Sequence, residues 1–216
     1  MYWHSRGVSY HEAGQYKHAI EDATKAIELE PDNADYWDSR AMSYHAAGQY
    51  DSAIADANSA LMLNHRLTSA YYIRGKAYRR KNLLDQALQD LEMTVRMEPE
   101  NDWYAYHLGV TLLKQEELEQ AQTSLNNALK IVRERLLKSP KDWNAFFNLA
   151  IYLLAQGNHL DAERQYLEGV LQSNSIHEIN LAVRFLQEWV DELADPHAET
   201  ILLQVKLAFE ERRKII

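Results

Sequence analysis

A thirty-four-residue echo constrains this 216-residue chain more than any other feature. Trp3, Gly7 and Tyr10 return as Trp37, Ala41 and Tyr44, and again as Tyr71, Gly75 and Tyr78. A large residue, a small one four later and an aromatic three after that share one face of a helix. The second half of the period repeats as well: Ala19, Ala26 and Pro31 recur as Ala53, Ala60 and His65, with only the proline lost. A fixed period of this length predicts a helix–turn–helix unit repeated in tandem, each copy burying its apolar face on the next.

These residues carry a resemblance to the tetratricopeptide repeat (TPR) family, whose pattern is an aromatic, a small residue, a tyrosine, an alanine and a closing proline. The resemblance implies an all-α fold, a right-handed α-solenoid of tandem helix–turn–helix repeats with a C-terminal capping helix pair. The third repeat keeps Ala87 and Pro99, and a fourth keeps Gly109, Ala121 and Ala128. A fifth fits after a slip, with Leu149, Ala150, Leu153, Gly157, Ala162, Tyr166 and Gly169 in the signature slots. The slip amounts to about seven extra residues within 129–142. Residues 130–138 hold neither glycine nor proline, so the insertion reads as two further helical turns stopped by Pro140.

Five repeats are thus expected at about 1–33, 34–67, 68–101, 102–142 and 143–174, with a divergent sixth helix pair at 175–216 as the cap. In that pair Ile179, Val183, Leu186, Val190 and Leu193 keep helical spacing. Asp195-Pro196 is a helix-start signal. On the last helix Ile201, Val205, Ala208, Phe209, Arg212 and Ile216 lie close to one face, suited to packing on the fifth repeat or to a homo-oligomer. By register the first repeat begins at Met1 without a cap, so Trp3 and Tyr10 are expected to face solvent, in a fragment or at a docking end.

Glycine and proline are scarce, at seven and four, as a helical protein requires. Gly14, Gly48 and Gly157 occupy the turn between paired helices. That slot holds Asn82 in the third repeat and Glu116 in the fourth, and glutamate is poorly suited to a left-handed turn, so a different loop is expected there. The absence of cysteine excludes disulfides and thiolate metal sites. Charged residues interrupt every apolar stretch, so neither a signal peptide nor a membrane span is read, and a cytoplasmic location is expected.

Arg6, Arg40 and Arg74 precede the small residue of repeats one to three, and Asp22, Asp56 and Asp90 follow the second-helix alanine by three. Repeats four and five carry Leu108 with Ser124 and Leu149 with Gln165 instead. Residues that arrive and vanish together predict three ion pairs within repeats, replaced later by apolar contact.

No phosphate loop, nucleophile elbow or zinc-protease signature is present, and no enzymatic activity is expected. Paired carboxylates such as Glu21-Asp22 and Glu116-Glu117 read as solvated helix faces or turns. His4, His11 and His45 fall on first helices, but equivalent slots in adjacent repeats lie roughly 8 to 10 Å apart, too far for a shared metal ion. No metal and no cofactor are expected. A net charge of −9 and a single basic cluster, Arg74, Lys76, Arg79, Arg80 and Lys81, disfavour nucleic acid.

Family resemblance implies that the first helices line a concave groove binding a peptide or helix. In that register repeats one and two present His4, Val8, His11, Glu12, Asp35, Asp38, Met42 and His45. The binding residues are expected further on: Tyr72, Lys76, Arg79 and Arg80, then Trp103, Tyr106, His107, Val110, Phe147, Asn148 and Ile151. A basic step beside an aromatic and aliphatic floor suits a partner segment with acidic and large apolar residues. The family's two-carboxylate clamp for chaperone tails is not matched, since His4, Val8, Ser39, Ser69 and Ile73 stand at its positions. The expected function is a protein-interaction scaffold or adaptor, the alternative being a regulatory or sensor module of a larger protein.

Overall fold

The computed structural model describes residues 2–173 and 176–212. Met1, Ser175 and Ile216, together with the side chain of Leu193, lie outside the described residues. The chain is an all-α solenoid. Its helices are α1 (Tyr2–Glu12), α2 (Tyr16–Leu29), α3 (Ala34–Ala46), α4 (Tyr50–Leu63), α5 (Thr68–Arg80), α6 (Leu84–Met97), α7 (Asp102–Lys114), α8 (Leu118–Lys138), α9 (Trp143–Ala155), α10 (His159–Gln172), α11 (Ile176–Leu193) and α12 (Pro196–Arg212). They pack in two compact units, residues 1–100 with 111–117 and residues 101–110 with 118–216.

In the first unit each helix pair closes by the same hydrogen bonds. Gly14 N–H donates to His11 O (2.9 Å) and Gln15 N–H to Tyr10 O (2.8 Å), satisfying carbonyls that the end of α1 leaves open. Gly48 and Asn82 repeat the arrangement, with φ of 75° and 60°. Glu116 does too, against expectation: its φ is 64°, and Glu117 N–H reaches Leu112 O at 3.0 Å. The closing bonds impose the left-handed turn whatever residue occupies it, and the side chain bears the strain.

The echoed aromatics fill the seams between repeats. Trp3 and Trp37 pack on Ala26, Ile27 and Tyr36, and Trp37 and Tyr71 on Ala60, Leu61 and Ala70. Trp3 and Tyr10 are therefore half-buried rather than open to solvent. The expected ion pairs are present and bidentate. Arg6 donates to Asp22 at 2.6 and 2.7 Å, Arg40 to Asp56 at 2.6 and 2.9 Å, and Arg74 to Asp90 at 2.8 and 2.7 Å. Each guanidinium also lies over the signature aromatic three residues earlier: Trp3 at 4.8 Å, Trp37 at 5.1 Å and Tyr71 at 5.4 Å. The opening pattern thus encodes a cation clamp as well as a packing face.

In the second unit α8 runs 21 residues against 14 for α2, α4, α6 and α10. Asp195 caps α12, its Oδ1 accepting N–H from His197 (2.9 Å) and Ala198 (3.3 Å). Ile201, Val205 and Phe209 are buried, and α12 packs on α10 and α11, while Leu203 and Leu207 remain exposed. Among the described residues no helix is long and apolar enough to cross a membrane.

Candidate partner-binding surface

Along the first helices of the first unit, the repeat period aligns three columns: His4, Asp38, Tyr72; Val8, Met42, Lys76; and His11, His45, Arg79. Hydrogen bonds stitch neighbouring repeats beside them. His4 Nε2 lies 2.9 Å from Ser39 Oγ, His11 Nδ1 lies 3.1 Å from Ser43 Oγ, and the Ser69 hydroxyl donates to Asp38 Oδ2 at 2.6 Å. His4 and His11 thus each address a serine. Between α1 and α3, these two histidines with Val8 and Met42 line a small hollow of about 60 Å³.

Charge changes sign along this face. Burial pushes the Asp38 carboxyl up to about 6, against the lowering effect of the Ser69 hydrogen bond, with Asp35 adding to the rise. Burial holds the His45 imidazole well below its ordinary range, and Lys76, Arg79, Arg80 and His11 push it the same way. Lys76 Nζ lies 5.4 Å over the Tyr72 ring, both half-buried. Arg80 is exposed, its Nε donating to the Tyr50 hydroxyl at 3.0 Å, and Lys81 pairs with Asp51. Arg79 differs from its neighbours: it is buried and its Nη1 donates to Thr111 Oγ1 at 3.4 Å.

The second unit treats its share of the expected groove otherwise. Tyr106, His107, Val110, Phe147, Asn148 and Ile151 are buried, and Trp103 is half-buried. Helix α11 covers Trp103 and Tyr106: Phe185 lies 4.8 Å from the first, and Trp189 lies 6.3 Å from the second. His107 meets Trp103 edge-on at 4.6 Å, and Phe147 stacks on Tyr166 at 6.2 Å. The Asn148 amide donates to Asp102 Oδ2 at 3.1 Å. An open aromatic floor was expected here; the structure has one roofed by the chain's own helix. The signal was present in the sequence as Phe185 and Trp189, four residues apart on α11.

A buried polar network replaces the repeated ion pair in this unit. Asp102, 3% exposed, accepts from Arg135 Nη1 (2.6 Å), the Tyr152 hydroxyl (2.8 Å) and Asn148. Arg135 also donates to Asp142 Oδ2 at 2.9 Å. Its position in the extra turns of α8 gives the insertion a structural role: the lengthened helix delivers the cation that Asp102 needs. Asp102, Arg135 and Tyr152 repeat no residue of repeats one to three, so the period gave no sign of them, whereas Asn148, read as a groove residue, serves this network. Nor did the period single out His159, Asp195 and His197, whose donor atoms all lie within 4.8 Å of one another.

Family models described as tetratricopeptide repeat match residues 1–33, 23–55 and 103–170, together more than half of the chain. The chain belongs to the tetratricopeptide repeat family. Among solved structures, the TPR array is similar to a crystal structure of MamA, at 18% identity over 76% of this chain and 91% of that one, with a TM-score of 0.54. A MamA RS-1 double mutant gives 20% identity over 62% and 75%, TM-score 0.57. The second TPR domain of human RPAP3, in complex with the HSP70 peptide SGPTIEEVD, gives 31% identity over 50% and 89%, TM-score 0.48. Curated protein sequences give no significant match.

Proposed function

We propose that this chain is a non-catalytic protein-interaction module that takes an amphipathic helix or extended peptide against the inner face of its first repeats. The observation that carries this reading is α11. On the second unit, an amphipathic helix with aromatic anchors four apart already lies on Tyr106, which stands one repeat after Tyr72. The same surface in the first unit keeps Tyr72 and Lys76 half-buried and Val8 and Arg80 exposed, beside the hollow lined by His4, His11 and Met42. A helix-in-groove mode fits such a face. The cations Lys76 and Arg80 favour acidic residues in the occupant, and Tyr72, Val8 and Met42 favour large apolar ones.

In this reading Tyr72, Lys76 and Arg80 make direct contact, and buried Arg79 supports them. In the second unit Trp103, Tyr106, His107, Val110, Phe147, Asn148 and Ile151 serve that unit's own packing. A cytoplasmic scaffold or adaptor is the role that matches. Selection from a displayed peptide library should enrich sequences with acidic residues flanking aromatic or aliphatic anchors. Lys76→Glu with Arg80→Glu should abolish that enrichment without loss of helicity, because neither side chain is buried. An identical peptide profile from the double variant would refute the groove assignment. Arg79 is left intact because it is buried.

A further inference from the structure

We infer that His159, Asp195 and His197 form a binding site for a divalent transition-metal ion that ties the start of α10 to the start of α12. His159 is the first residue of α10, Asp195 caps α12, and His197 is the second residue of α12. Packing of α10 on α12 brings them together across 36 residues of chain. One donor atom from each residue lies within 4.8 Å of the others. Donors around a tetrahedral zinc ion sit about 3.3 Å apart, given metal–ligand distances near 2 Å, so side-chain rotation must bring the set closer.

The two imidazoles stack nearly parallel, with centroids 4.2 Å apart and planes 16° from each other; ring nitrogens bind a metal along lone pairs in the ring plane, so one ring must swing out of the stack for both to reach one ion. Two features make the arrangement more than a surface coincidence. His159 Nδ1 is buried and makes no hydrogen bond, a cost that a coordinated or properly partnered ring would not bear. The Asp195 carboxylate is held from both sides, Oδ1 by the backbone of α12 and Oδ2 by the Trp189 indole N–H at 3.3 Å. Such outer contacts orient a ligand group.

The chemistry also selects the ion. Two helix N-termini place partial positive charge at the site, which opposes a cation held only by charge. Two imidazole nitrogens and one carboxylate suit zinc, nickel or copper rather than magnesium or calcium. Three protein donors leave a coordination position for water or for a side chain of a bound partner. His197 is exposed, so that position is reachable from solvent.

Titration calorimetry of the full, untagged chain with zinc ion alone tests this. Wild type should bind one ion per chain, and cobalt substitution should give the visible absorption of a low-coordination site. His159→Ala and His197→Ala should each weaken binding by more than about tenfold, the size of effect that even outer-shell changes produce. Asp195→Asn keeps a capping side chain but removes the charge, and should weaken binding while the thermal transition without metal stays in place. His18→Ala and His65→Ala, at exposed histidines of the first unit, should leave zinc binding unchanged. Absence of stoichiometric zinc binding, or full retention of it in the His159→Ala, His197→Ala double variant, would overturn the site.

Discussion

The two compact units solve one packing problem by different means. The first repeats a single device: an arginine clamped between a signature aromatic and a second-helix aspartate, three times at the same spacing. The second abandons it. Leu108 fills the arginine slot and is buried, Leu149 does the same half-buried, and the aspartate slot of the fifth repeat holds Gln165, whose Oε1 is buried without a hydrogen bond. In compensation, the unit gains Asp102 and its donors, a longer α8, and the roof made by α11. A periodic sequence can thus afford repeated local ion pairs, whereas a sequence that has drifted from the period relies on contacts unique to each place.

The sharpest way to break this comparison is in the first unit. Arg40→Leu should cost about 3–5 kcal/mol, because Asp56 is left buried without its cation. Arg40→Leu combined with Asp56→Ser should cost less, and equal losses in thermal melts would show that the pair does not act as one. Next in size, a Cβ at Gly169 would lie 2.5 Å from the Phe147 ring, so Gly169→Ala should cost about 1–3 kcal/mol in urea unfolding. Gly7→Ala meets nothing closer than 3.3 Å, and Ala41 already fills the equivalent slot, so it should stay within about 0.5 kcal/mol. Equal losses at both positions would erase the distinction between regular and drifted packing.

A pH-dependent test follows from Asp38, whose carboxyl is raised by burial to about 6 from 3.8. The folded state retains a proton that the unfolded state has released, so stability contributed by this group is full below about pH 4 and falls as pH rises through 6. Asp38→Asn should therefore gain on wild type as pH increases across that window, by up to about 3 kcal/mol, as read from melting curves. A constant difference would place the carboxyl in water. The smallest effect belongs to the turn after α7: Glu116→Gly should stabilise by about 1 kcal/mol, seen in the denaturant midpoint, because glycine accepts the positive φ.

Much of the fold was legible because the repeat is written in residues that pack within one period. Trp3, Gly7, Tyr10 and Ala19 specify a hairpin and its neighbour seam, and Arg40 with Asp56 could be paired from their joint appearance alone. The helix start at Asp195-Pro196 was equally local. The turn at Glu116 was not legible because intrinsic preference does not register the two closing hydrogen bonds that override it. The burial of Tyr106 in the second unit was hidden for a different reason. Whether Tyr106 is open or covered depends on where Trp189 comes to rest, 83 residues later, and no periodicity relates the two. Asp102 with Arg135, and His159 with His197, are likewise long-range meetings of residues with no repeating counterpart.

The three clamped arginines have one more consequence. The same guanidinium–carboxylate contact occurs with arginine side chains 38%, 14% and 20% exposed, opposite aspartates 5%, 8% and 7% exposed. The protein therefore contains its own hydration series: one chemical bond, one local geometry, three degrees of access to water. Measured pair by pair across a range of salt concentrations, it would report how far solvent reaches into a repeat seam, with each copy serving as the reference for the other two.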